Sequence, residues 1–173
     1  MQETYSEFIS KIITNKKKIE SALNIRLINK GKIIFIKGKA ENEFIALKVI
    51  EAINLGFSAE RALLLKDENM LLQVLNIKDI TKRNDLETVR ARIIGKQGKT
   101  LKTLNTLTDC FISLNTNQIG IIGNAEDIEE CVQSVISLIQ GSKQGNVYAR
   151  LEKIKKEKRL DEKLHLNETR KFN

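Results

Sequence analysis

Tryptophan and proline are absent from this chain of 173 residues, and the aromatics amount to six Phe and two Tyr. So few rings argue against a base-stacking platform of the RNA-recognition-motif or oligonucleotide-barrel kind. The lack of proline removes one marker of turns and bears on no function. Cysteine is nearly absent: Cys110 and Cys131 stand far apart in apolar surroundings and read as buried thiols. With a single histidine, His165, in a charged tail, they cannot make a zinc site of the usual spacing, so no metal is expected. No apolar run approaches the roughly 20 residues of a membrane span. The first residues, Met1 to Ser6, lack the basic-then-apolar plan of a signal peptide. A cytoplasmic protein without a membrane partner is expected. No P-loop, dinucleotide fingerprint or nucleophile elbow occurs, which leaves neither a cofactor nor a catalytic residue to expect.

Basic charge is what the chain has in excess. Thirty Lys and Arg against 22 Asp and Glu give a net charge of +8 and a pI near 9.5. That balance favours a polyanionic partner, nucleic acid first, although solubility alone also accounts for surplus charge. The sharpest local feature is Ile93-Ile94-Gly95-Lys96-Gln97-Gly98-Lys99-Thr100. It reads as the end of one helix, a Gly-x-x-Gly loop holding a basic residue, and the start of a second helix. Glycines remove the side chains that would hold a phosphate away, and a helix N-terminus favours an anion. Four-residue patterns of this kind also arise in plain turns, so the context decides.

Part of the context is an internal repeat. Shifted by 85 positions, Ile34, Ile36, Gly38, Ala40 and Glu41 fall on Ile119, Ile121, Gly123, Ala125 and Glu126. Each copy reads as strand, helix, helix, strand, strand, helix. In the first copy these are Thr4–Ile9, Lys16–Leu23, a hairpin of Ile25–Ile28 and Lys32–Lys37 around Asn29-Lys30-Gly31, and Glu41–Leu55 with Phe44, Leu47, Ile50 and Ile53 inward. In the second they are Leu71–Ile77, Leu86–Ile94, Lys99–Thr108, Cys110–Leu114, a turn at Asn115-Thr116-Asn117 credited to the positive φ that Asn tolerates, Gln118–Ile122, and a helix capped by Asn124. The stretch 79–87 reads as a loop entering Leu86–Ile94. Between the copies, Ser58 can cap a short helix reaching about Lys66, whose apolar neighbours Phe57, Leu63, Leu64 and Leu65 need cover. After Gly145 the chain turns basic, and Leu151 and Ile154 are too few for a core, so a solvated helical arm, or one lying on something acidic, is expected. The expected fold is α+β: two units over 1–66 and 67–142, each a three-stranded sheet with helices on one face, then a basic tail over 143–173.

Placed between two helices, Ile93–Thr100 makes the second copy resemble a KH domain of the eukaryotic type (type I). That module clamps about four single-stranded nucleotides with its Gly-x-x-Gly loop. Three segments carry a further resemblance: 53–63 (INLGFSAERAL), 91–100 (ARIIGKQGKT) and 141–152 (GSKQGNVYARLE). They are similar to an archaeal KH-domain family related to the eukaryotic partner-of-Nob-one ribosome assembly factor. The resemblance implies two tandem KH units, and a role at the 3′ end of small-subunit rRNA during maturation, with other ribosome assembly or translation factors as partners. The first copy departs from the pattern. No glycine precedes Gly31, and Thr14-Asn15-Lys16-Lys17-Lys18 lies where its loop would be. That copy is expected to be a structural or protein-binding partner of the second.

The residues expected to contact RNA follow. Gly95 and Gly98 admit the backbone, and Lys96 and Gln97 at the tip meet phosphate or sugar. Lys99 and Lys102 add charge from the next helix, and at least one of Arg90 and Arg92 faces the same groove. Ile94 forms part of an apolar floor for bases; for Ile112 core packing is the better reading. Three functions are compatible with these residues: a monomeric single-stranded RNA-binding ribosome assembly factor; a KH module of another pathway, exosome-associated or translational; and, weakest, an enzyme that captures substrate with KH units, for which no carboxylate cluster remains.

Overall fold

A computed structural model describes residues 1–171, with side chains for 1–166. Its first half runs β1 (Gln2–Tyr5), α1 (Ile9–Thr14), α2 (Lys16–Leu23), β2 (Arg26–Lys30), β3 (Ile33–Lys37) and α3 (Ala40–Asn54). A linker of α4 (Ala59–Ala62) and a 3₁₀ turn (Leu63–Lys66) follows. The second half runs β4 (Met70–Asn76), α5 (Ile77–Ile80), α6 (Leu86–Ile94), a 3₁₀ turn (Lys96–Gly98), α7 (Lys99–Thr108), β5 (Phe111–Asn115), β6 (Gln118–Asn124), α8 (Ile128–Gln140) and α9 (Gln144–Lys171). The strands form two antiparallel three-stranded sheets, ordered β1-β3-β2 and β4-β6-β5. The architecture is α+β. Among the described residues, no helix is long and apolar enough to cross a membrane.

The 85-residue repeat has a physical cause in the two hairpins. Leu27 pairs with Ile36, and Ile112 pairs with Ile121 in the same register. A Cβ on Gly38 would lie 2.8 Å from the Ile25 side chain, and a Cβ on Gly123 would collide with the Cys110 sulfur. Each glycine therefore makes room for the residue just before the first strand of its hairpin. Cys110 and Cys131 are both buried and free, and contact with Cys110, then burial, pushes the Cys131 thiol up.

Several boundaries differ from expectation, each for a local reason. The first strand ends at Tyr5 because buried Ser6 turns the chain: its hydroxyl accepts from the Phe8 N–H and donates to Asn54. The fourth ends at Asn76, whose side chain accepts from the Lys78 N–H and caps α5. The first hairpin turns at Gly31 (φ +61°), since Asn29 and Lys30 remain paired with Ile34 and Ile33. In the second it is Thr116, not an asparagine, that takes positive φ. Asn124 accepts from the Glu126 N–H in a turn that precedes α8 rather than capping it. Phe44 is not inward: it is 58% exposed, with the Lys48 ammonium 4.5 Å from its ring. The buried stripe of α3 is Ala46, Val49, Ile50 and Ile53, and a position two residues before Ala46 lies on the opposite face.

The two halves share a packed boundary. The outer face of the second sheet, made of Leu72, Val74, Phe111 and Ile122, packs into the first core together with Leu55, Phe57, Ala59 and Ala62 of the linker region. Gly120 lies beneath the Phe57 ring, where a Cβ would come within 2.7 Å of it. The Ser113 hydroxyl donates to the Leu55 carbonyl (2.9 Å) and the Asn115 amide to the Asn54 carbonyl (2.9 Å). Ser58 caps α4 by accepting from the Arg61 N–H.

The C-terminal helix is not simply a solvated arm. Val147 and Leu151 are buried in the second core, two residues that suffice because α7 and α8 supply the rest of the apolar surface. Arg150 pairs with Glu130, Lys155 with Asp109 (2.9 Å) and Lys158 with Asp127 (2.6 Å). The acidic surface on which this helix lies is thus its own chain.

Candidate nucleic-acid interface

The loop Gly95–Gly98 is held by helices that the sequence starts and stops plainly. Asp85 opens α6 by accepting from the Thr88 N–H, and the Thr88 hydroxyl, then that N–H, hold its carboxyl below the usual range. Val89 and Ile93 bury one stripe of α6 in the second core. The helix ends where the Gly95 N–H donates to the Ala91 carbonyl. Gly95 has φ +74°, and a Cβ there would strike the side chain and backbone nitrogen of Thr100. The loop therefore needs glycine at 95 for its own closure as well as for any ligand. Gln97 (φ +54°) and Gly98 (φ +74°) are both left-handed, which lifts Lys96 and Gln97 into solvent before α7 begins without a side-chain cap. A non-glycine residue in that region costs about 1 kcal/mol or more, so Gln97 is a strained tip.

One flank of the loop is a cleft of about 600 Å³, bounded by Arg92, Gly95, Lys96, Lys99, Gln144 and Tyr148. Its lining carries three cations and no carboxylate, which is the electrostatics of an anion site. The Gln144 amide donates both to the Arg92 carbonyl and to the hydroxyl of buried Thr100, each at 3.0 Å. Arg92 in turn donates to the Ser142 carbonyl at 2.8 Å. These bonds lock the end of α6, the start of α7 and the start of α9 together behind the loop.

The other flank carries Arg90 and Ile94, four residues apart on one face of α6. Arg90 donates to the Asn117 side chain at 2.8 Å, bridging the helix to the β5–β6 turn. Ile94 is 37% exposed, large for an isoleucine next to a core. Ile112 is 5% exposed and belongs to that core. Arg90 and Arg92 thus serve opposite flanks, as a two-residue step on a helix requires. Lys102 does not line that cleft: one turn beyond Lys99 on α7, it borders a depression with Arg61 and Phe111. Sequence reasoning does not identify Gln144, Tyr148 and Thr100 as site residues, because the 141–148 segment that opens α9 meets the loop only through the tertiary fold.

A family model described as "Eukaryotic type KH-domain (KH-domain type I)" matches residues 71–156. The chain is 29% identical over 145 residues to a KH domain-containing protein of Methanocaldococcus jannaschii, covering 80% of this chain and 64% of that one. To the pre-rRNA-processing protein PNO1 of Saccharomyces cerevisiae it is 34% identical over 105 residues, 59% of this chain and 38% of that one. The chain thus spans less than two thirds of the length of the curated relatives it matches. Among solved structures, Dim2p of Pyrococcus horikoshii matches with a TM-score of 0.79 and 30% identity over 88% of this chain and 99% of that one. An a/eIF2alpha–aDim2p–rRNA complex from the same organism contains a chain that matches with TM-score 0.81 and 30% identity, over 90% and 95%. At 30% identity over 99% of Dim2p, and with residues 71–156 matching the type I KH model, the chain belongs to the family of type I KH proteins that includes archaeal Dim2p and eukaryotic PNO1.

Proposed function

We propose that the chain is a tandem of two type I KH units that binds single-stranded RNA through the loop Gly95–Gly98, in the maturation of small-subunit ribosomal RNA. The observation that carries the reading is the loop itself: a strained, exposed Lys96-Gln97 tip between two glycines, with Arg92 and Lys99 beside it and no carboxylate lining the cleft. Phosphates lie against the tip and the N-terminus of α7, with Lys96 and Lys99 supplying charge. Bases lie on the other flank, over Ile94 and beside Arg90. Lys102 contributes long-range charge only. Similarity to a pre-rRNA-processing protein and to a chain from a complex with rRNA supports this target class.

The first unit repeats the fold without the grip. Only Asn15 separates α1 from α2, so no flexible loop projects there, and of the neighbouring lysines Lys16 pairs with Glu20 and Lys18 with Glu60. Its role is to brace the second unit and to offer a separate surface to other assembly or translation factors. The Pyrococcus complex, which also contains a/eIF2alpha, supports partners of that kind. The protein acts as a monomer in the cytoplasm, by binding and not by catalysis, and α9 carries the basic tail.

The test is the double variant Lys96→Asp, Gln97→Asp, assayed by fluorescence anisotropy with a single-stranded RNA from the 3′ end of small-subunit rRNA. Two negative charges at the phosphate position should lower affinity by about tenfold or more. The melting temperature should not fall, because both side chains are exposed. Unchanged affinity in the folded variant would remove the loop from the site.

A further inference from the structure

We propose that the cleft between the two halves is a nucleobase subsite, taking the nucleotide that leaves the Gly95–Gly98 groove past the β5–β6 turn. The inference rests on the RNA-binding reading above and extends it to a second place on the molecule. The cleft has a volume of about 430 Å³ and is bounded by Tyr5 and Glu7 of the first half and by Asn76, Lys78, Asn117 and Gln118 of the second. It adjoins the base-side flank through one shared residue, because the Asn117 side chain that borders it is the one held by Arg90. A strand whose bases rest over Ile94 and Arg90 reaches this cleft next.

The chemistry of the walls favours a base over a phosphate. Asn76 and Asn117 use their side-chain oxygens to accept from the Lys78 N–H and from Arg90. Among the described residues their amide N–H groups donate to no protein group and remain for a ligand, and exposed Gln118 adds a donor and an acceptor. Carboxamides of this kind pair with base edges. Tyr5 presents an exposed ring, 52% open, on which a base can stack, with the Lys32 ammonium 5.8 Å from its centroid. Glu7 on the lining disfavours a phosphate inside, but its carboxylate can accept from an exocyclic amine. Lys78 stands at the rim and also borders a depression with Lys82 and Arg83, which supplies cations for the backbone outside the cleft.

The cleft is also pre-formed. Asn54 at the end of α3 donates to the Tyr5 carbonyl at 3.0 Å and accepts from Ser6, while its own carbonyl accepts from Asn115. One residue thereby ties the strand that carries Tyr5 to the turn that carries Asn117. Little ordering remains to be done when a nucleotide enters.

The experiment uses the full chain and two fluorescein-labelled RNAs of randomised sequence, a tetranucleotide and a decanucleotide. Only the longer one can fill both the groove, which takes about four nucleotides, and the cleft. The variant Tyr5→Ala, Lys78→Ala should lose about tenfold in affinity for the decanucleotide, the scale of one lost base stack, and none for the tetranucleotide. Tyr5→Phe, which keeps the ring and the strand, should bind both RNAs like the native chain. Lys96→Asp, Gln97→Asp should weaken both. An unchanged decanucleotide affinity in the Tyr5, Lys78 variant, or an equal loss on the two RNAs, overturns the subsite. Failure of the native chain to bind either RNA overturns the binding reading, and the subsite with it.

Discussion

Single residues in this protein are constrained most tightly where one atom has no room. Gly123 illustrates it: the space its Cβ would need is held by the Cys110 sulfur, in a core that also contains Cys131 and Ile121. Gly123→Ala should destabilise the chain by about 1–3 kcal/mol, as over-packing does, and chemical denaturation with an unchanged slope would register it. The same substitution at Gly98, which has only empty space around it, should act through backbone strain alone. Gly95 in the loop combines both constraints, since Thr100 fills the space and φ is +74°. The fold alone therefore requires glycine at 95, and under the proposed function a phosphate backbone that comes close would require it a second time.

At the scale of the element, α9 shows how charge is misread when its partners lie elsewhere in the chain. Its lysines look like an arm awaiting a polyanion, but Lys155 meets Asp109 and the Thr106 carbonyl, and Lys158 meets Asp127 and the Glu126 carbonyl. The bond to Asp127 raises the Lys158 pKa, so its contribution is complete below the free lysine value near 10.4 and fades only as pH rises through the higher folded value. Lys155→Ala, Lys158→Ala should therefore lower stability by only about 1 kcal/mol per pair or less, because both pairs are partly exposed. The salt dependence of RNA binding should stay the same, since neither ammonium is released to a phosphate. A flatter log–log slope in that variant would mean these lysines exchange their carboxylates for RNA.

At the scale of the whole molecule, the two halves behave as one body because a sheet face is shared. Phe57 sits over Gly120 with Leu55 beside it, and the face beneath carries Leu72, Val74, Phe111 and Ile122. Phe57→Ala should cost about 3–5 kcal/mol, read by thermal or chemical unfolding. A chain cut to residues 67–173 loses the cover of that face and should self-associate on gel filtration, as an open apolar sheet surface does. A monodisperse, fully stable fragment would show that the linker contributes little to the second half.

What the sequence alone determined is whatever depends on neighbours in the chain. The bounds of Leu86–Ile94 and Lys99–Thr108 follow from apolar spacing and the glycines between them, those of Lys16–Leu23 from apolar spacing alone, and all three recur in the structure unchanged. The repeat was legible for the same reason, because Gly38 and Gly123 answer residues on the adjoining hairpin strand. The tertiary structure decided what depends on residues brought together from afar. It turned Phe44 outward because the core lies on the Ala46–Ile53 side of α3. It sent Arg90 and Arg92 to opposite flanks of the loop, toward Asn117 and Ser142. It placed Gln144 behind Thr100, paired Lys155 and Lys158 of α9 with Asp109 and Asp127, and opened a cleft beside Tyr5. A helical or strand period states which residues share a face, but it carries no information on which distant surface that face will meet.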